Sequence, residues 1–335
     1  SGGSADMGRR QLLMPNYKVV DAGRLDAAMT ATADAIREKT FGTGPIPWNA
    51  DTGFAEAVAG ITSGGAAVSV PMKDVNFYDY DGTRLYSYTV SEAAALTELP
   101  PLPTQPGLTC QGWNWTLEEM QANEGMCDVG AMYITDDGRT RLYIDVEDDE
   151  TEDDLSIDLY FSNTDTPTIK IYWGDKTEET YEVTNNTFYT HKYSSKGKYV
   201  IEIEVLNKRL YIGQTNIGLC GSNYIKSRKV QKIELGNNIV LTKPKCLQYL
   251  LNLYAITIPI DVVIGNHAHC FVYSQLRHIS FPPNMTDNIG GFESCTQLAT
   301  ISFSPNMKTT VGFLGAFALK RLVFPKGTLL NINQI

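Results

Sequence analysis

LRHISFPPNM at residues 276–285 and LATISFSPNM at 298–307 are nearly one ten-residue phrase written twice, 22 residues apart. Its core recurs along the C-terminal third as VQKIEL from 230, LYAITI from 253, LRHISF from 276, LATISF from 298 and LKRLVF from 319. The intervals are 23, 23, 22 and 21 residues. Within each phrase the last apolar positions alternate as in a strand. A repeat of this length marks a solenoid. The physical need is plain, because three buried side chains cannot offset the ordering of about twenty residues. Each unit must bury its edges against its neighbours, so the repetition is first of all a shape.

That arrangement divides the strand residues into two sets. Ile233, Ile256, Ile279 and Ile301 point into the stack. Lys232, Glu234, Ala255, Thr257, His278, Ser280, Thr300, Ser302, Arg321 and Val323 point away from it and are expected to line one continuous sheet face, polar and mixed. Extended faces of this kind are where repeat proteins commonly bind partners, so these residues are the expected recognition surface.

Other features bound the function. A net charge of −10 argues against nucleic acid, since phosphate binding needs clustered Lys and Arg. No apolar run approaches the ~20 residues of a membrane helix, so no insertion is expected. The six cysteines contain no C-x-x-C pair and are expected to be buried thiols. His267, His269 and Cys270 form the weak metal candidate. Aligning IGNHAHC (264–270) with IGGFESC (289–295) favours a structural role, with His267 in the place of Phe292 and Cys270 in that of Cys295. No nucleophile elbow, phosphate loop or H-E-x-x-H motif is present. A non-enzymatic protein without cofactor is therefore expected.

Toward the N-terminus, residues 1–13 are expected to be a tag or linker. In 21–39 the residues Leu25, Met29, Thr32 and Ile36 lie on one narrow helical stripe, either an oligomerisation seam or a docking edge. Residues 14–66 are thus expected to be a helical attachment or oligomerisation segment. From 67 to 147 a small α+β module is expected, with hairpins around Asp81-Gly82 and Asp137-Gly138 and a capping box at Thr116 and Glu119. The acidic run DVEDDETEDD (145–154) lacks the spaced ligands and turn glycine of a calcium loop and is expected to be a solvated linker. Five strands are expected between 155 and 205, within a sandwich spanning 148–207. The repeats then occupy 208–335, giving a multidomain, mainly β chain.

Three resemblances add context. IYWGDKT (171–177) followed by THKYSSKGKYVIEIEV (190–205) resembles the PKD-type immunoglobulin-like domain, which implies a core Trp173, a turn-holding Asp175 and a structural His191. Lys176 departs from that pattern, standing where the family has Gly. FPPNMTDNIGGFESCTQLATISF (281–303) resembles the BspA-type leucine-rich repeats of bacterial surface and phage-associated proteins; the last repeat lacks their cysteine. MPNYKVVDAGRLDAAMTATADAIREKT (14–40) is similar to the N-terminal segment of prophage tail and baseplate-associated proteins of gut Firmicutes. Together they imply a phage tail or baseplate attachment protein on the virion or at a cell surface. Its implied partners are a host-surface glycan or protein, virion tail proteins, and two further copies of itself in a homotrimer. A secreted cell-surface adhesin, or the accessory modules of a carbohydrate-active enzyme, are the alternative readings.

Overall fold

The computed structural model describes residues 74–147, 155–185, 187–213, 217–221, 224–242, 245–265, 270–286, 291–310, 316, 318–319 and 321–330. The seam residues Leu25, Met29, Thr32 and Ile36 lie outside these, as do His267 and His269. The chain divides into two compact units, Ser1–Pro71 and Met72–Ile335. The second unit is mainly β, with several sheets and few helices.

The hairpin around Asp81-Gly82 forms as its turn chemistry demands. Strand β1 (Val75–Tyr78) pairs antiparallel with β2 (Arg84–Tyr88), and Gly82 takes φ +90° where a side chain would be strained. Helix α1 (Val90–Ala94) follows, its Thr89 and Glu92 forming a capping box. After β3 (Leu108–Trp113), helix α2 (Leu117–Ala122) opens at the expected box of Thr116 and Glu119. Strand β4 (Cys127–Thr135) completes a four-stranded sheet in the order β2-β1-β4-β3. Phe77, Val129, Tyr133 and Trp113 fill its core, with Phe77 and Trp113 edge to face at 5.0 Å.

The second expected hairpin is not one. The turn at Asp137-Gly138 exists, with Gly138 at φ +73°, but β4 and β5 (Thr140–Val146) do not pair. Strand β5 instead joins a six-stranded sheet between β10 (Gly197–Val205) and β12 (Val230–Glu234). Its register sets Leu142 opposite both Ile201 and Ile233. A hairpin would satisfy one edge of β5; the central place satisfies both and buries Leu142, Ile144 and Val146.

That sheet runs β14-β12-β5-β10-β7-β8, adding β7 (Thr168–Tyr172), β8 (Glu178–Glu182) and β14 (Ala255–Thr257). Its strands come from all three segments that the sequence pattern separates at 147 and 207. Hydrogen bonding crosses both of those boundaries. Strands β6 (Ser156–Phe161) and β9 (Thr187–Lys192) form a separate antiparallel pair, so all five strands expected between 155 and 205 are present. Trp173 is fully buried, with His191 stacked on it at 4.6 Å and 8°. Asp175 accepts from the Thr177 backbone N–H at 3.0 Å and sits 2.8 Å from His191 Nε2. Burial opposes ionisation of Asp175, but those hydrogen bonds outweigh it and hold the carboxyl below its usual range. Lys176 adopts φ +76°, the left-handed conformation glycine favours.

From Val230 onward several strands pair in parallel at the repeat interval. Lys232 lies opposite Ala255, and His278 of β16 (His278–Ser280) opposite Thr300 of β17 (Thr300–Ser302). A second parallel set joins β11 (Leu210–Tyr211), β13 (Ile239–Leu241) and β15 (Val263–Ile264). Equivalent residues stack, Phe281 on Phe303 at 6.4 Å and Phe303 on Phe324 at 5.0 Å, and Phe271 stacks on Phe292 at 5.8 Å. Cys246, Cys270 and Cys295 are buried in the same core, the first two with their sulfurs in contact. The fifth phrase, LKRLVF, carries no strand among its described residues, although Leu319, Leu322 and Phe324 still pack on the core.

Candidate functional site

The outward face of the repeat strands is where the sequence places recognition, and the structure covers it. Glu234 is 2% exposed, Thr257 1%, His278 0%, Ser280 6% and Ser302 0%. Ala255 and Val323 are buried too, while Lys232, Thr300 and Arg321 are half-buried. These side chains do point away from the Ile233–Ile256–Ile279–Ile301 core, as expected. Most of them face β4, β5 or the first hairpin and are shielded from solvent, so an open binding face at these positions is corrected to a largely internal seam.

Close backbone approach makes the seam possible. Gly130 lies in the middle of β4, and a Cβ built on it would stand 1.9 Å from Ser280 Oγ and 2.9 Å from Ser302 Cβ. Only glycine lets β4 lie on the repeat strands at this depth. Asn114 then locks the contact. Its Nδ2 donates to the carbonyls of Phe281 at 2.9 Å and Phe303 at 3.0 Å, while its Oδ1 accepts from the Gly130 N–H at 2.8 Å. Trp115 Nε1 donates to the Phe303 carbonyl at 2.8 Å. Asn114→Ala is expected to cost about 2–3 kcal/mol, because it strands several buried backbone groups at once. Urea unfolding of the variant checks this; a loss under ~0.5 kcal/mol would contradict the role.

Most of the polar residues have partners, some on the repeat strands and some across the seam. His278 Nδ1 lies 2.7 Å from Thr300 Oγ1 and Nε2 lies 2.9 Å from Ser280 Oγ, with the ring 5.3 Å from that of Tyr78. Burial pushes its pKa down to about 3, against the opposing charge of Asp81. Glu234 accepts from Tyr143 at 2.9 Å and pairs with Lys232 at 2.7 Å and Arg141 at 3.5 Å. Arg321 faces Asp128 at 3.3 Å and Asp74 at 3.7 Å. Burial raises the Asp128 carboxyl above its usual range even though Arg321 pulls the other way. Among the described residues the buried Thr257 and Ser302 hydroxyls have no hydrogen-bond partner.

Among the described residues no group of three or more His, Cys, Asp or Glu could hold a metal ion. Cys270, the described member of the metal candidate, instead lies buried against Cys246. No described helix is long and apolar enough to cross a membrane. Gly130, Asn114, Trp115 and Arg141 are the seam residues that sequence reasoning missed. The one signal was a glycine inside a strand, VGAMYI at 129–134, which marks close backbone approach. Comparison with protein-family models, curated proteins and solved structures returned no match to this chain.

Proposed function

We propose that this chain is a non-enzymatic attachment protein of a phage or prophage tail or baseplate, recognising a glycan or protein on a host surface. In this reading the parallel pairs at 22- and 23-residue offsets are coils of a BspA-type leucine-rich-repeat solenoid. The two sheets around Trp173 are a PKD-like immunoglobulin sandwich, and residues 14–66 dock on virion proteins or trimerise. The observation that carries the reading is a pair of exposed aromatics within one repeat, residues 253–275. Tyr254 is 42% exposed and Tyr273 44%, whereas the sheet-face residues of the repeat strands are buried or half-buried. Amphipathic tyrosines left at a surface are frequent anchors of recognition. With the sheet face closed, the outer rim of the coils is the surface that remains.

The test is binding of the labelled full chain to intact Gram-positive cells and to a glycan array, alone and with Tyr254→Ala plus Tyr273→Ala. Binding reduced about tenfold or more by the double variant supports the reading. Absence of binding to every cell and glycan, or turnover of any polysaccharide during incubation, overturns it in favour of another class.

A further inference from the structure

Where the first hairpin overhangs the repeats, a cleft of about 320 Å³ opens to solvent, lined by Tyr80, Asp81, Thr83, Lys232, Tyr254 and Arg277. This is the lower end of the ~300–1,000 Å³ range of small-ligand sites, room for about one sugar ring. Neither half of the protein makes the cleft alone. Tyr80, Asp81 and Thr83 come from the hairpin turn, and the other three from successive coils.

The cleft is built, and its chemistry has a direction. The Lys232 ammonium is fixed by Glu234 Oε1 at 2.7 Å and Tyr80 Oη at 3.1 Å, and it lies 4.9 Å and 5.1 Å from the ring centroids of Tyr80 and Tyr143. Burial alone would weaken its hold on the proton, but Glu234 and Tyr80 reverse that, so it stays a cation. Two coils further on, Arg277 is exposed, and among the described residues its guanidinium meets no carboxylate. Between them stands Tyr254. Its N–H donates to the Gln231 carbonyl at 2.9 Å and its carbonyl accepts from the Arg277 N–H at 3.3 Å, which fixes the spacing of the row. Opposite, Asp81 accepts from the Thr83 N–H at 2.8 Å through one oxygen, and among the described residues its other oxygen accepts no hydrogen bond. A chain of net charge −10 thus presents a free arginine beside an aromatic face and a hydroxyl acceptor.

We infer that this cleft binds a carboxylated pyranose of the uronic-acid type, such as acidic surface polysaccharides carry. The C–H face of the ring lies on Tyr254, the carboxylate pairs with Arg277, and a ring hydroxyl donates to Asp81. A bare anion would leave Tyr254 unused, and a nucleic-acid phosphate backbone would meet Asp81. The inference rests on the attachment reading and names its ligand class.

The probe is methyl β-D-glucuronide, with methyl β-D-glucoside as its neutral counterpart. Saturation-transfer NMR and titration calorimetry on the full chain supply the readouts. The glucuronide is expected to bind, the glucoside about tenfold more weakly, and Arg277→Ala and Tyr254→Ala each to lose about tenfold in affinity. Both side chains are exposed, and an unchanged unfolding midpoint confirms that each variant folds. No saturation transfer from the glucuronide, equal affinity for the glucoside, or full affinity in both variants overturns the inference. If cells or other glycans are still bound in that case, attachment stands and only the cleft assignment falls. If nothing is bound, both fall.

Discussion

Gly130→Ala is expected to lower the stability of the 72–335 unit by about 3 kcal/mol or more, one of the largest effects available from a single methyl group. The added Cβ would sit 1.9 Å from Ser280 Oγ, 2.5 Å from Ser280 Cβ and 2.9 Å from Ser302 Cβ. Atoms at those separations cannot coexist, so β4 and the repeat strands must part or shift. Overpacking a tight contact typically costs ~1–3 kcal/mol, and more where backbone must move. For a unit of this size that corresponds to a fall of roughly 6–12 °C in midpoint. The partner of the clash supplies the control. Ser280→Gly removes the two closest atoms, so Gly130→Ala with Ser280→Gly should regain at least half of the loss. Non-additivity of that kind marks direct contact. Calorimetric midpoints for the four proteins of the cycle decide it; a Gly130→Ala protein as stable as its parent would mean that the repeat face is open after all.

The second large effect is a loss of stability in acid, traced to one imidazole. His278 has its folded pKa pushed down to about 3 by complete burial, from an ordinary 6.5. The unfolded chain therefore takes up the proton first. Stability from neutral His278 is fully present above pH 6.5, declines as pH falls below it, and is gone near pH 3. The slope is about 1.4 kcal/mol per pH unit across that window, so about 3 kcal/mol is lost by pH 4.5. The groups facing the ring are Tyr78, Thr300, Ser280 and the Asp81 carboxylate, whose charge moderates the shift without cancelling it. Asp128, also in the seam, has a raised pKa and acts in the opposite sense. Comparison with His278→Gln isolates the histidine. The variant is expected to be weaker at pH 7, where it loses the fitted hydrogen bonds, yet flatter toward acid. Urea midpoints at pH 7.0, 5.5 and 4.5 measure this, and parallel curves for the two proteins would remove His278 as the source.

Both effects arise at contacts of His278 or Ser280, whose outward direction was readable and whose environment was not. Alternation in LRHISF and LATISF sets His278, Ser280, Thr300 and Ser302 on the face opposite Ile279 and Ile301, and the structure agrees. Polarity suggested water beyond that face. The structure puts β4 there, because Gly130 allows contact and Asn114 and Trp115 satisfy the strand-end carbonyls. A polar side chain does not report whether its partner is solvent or another strand.

What the sequence determined by itself was local or periodic. The Asp81-Gly82 turn, the Thr116–Glu119 capping box, the five strands between 155 and 205 and the 22- and 23-residue offsets of the parallel pairs all follow from residues near one another or from repetition. Tertiary structure decided which edges meet. Asp137-Gly138 has the chemistry of a hairpin turn, yet β5 leaves β4 for β10 and β12, since a strand with two open edges gains more hydrogen bonds and burial between two partners than beside one. Period-two alternation encodes that a strand is buried on one side. Choice among distant strands depends on register and shape complementarity summed over the whole unit, and no window of the sequence contains that sum.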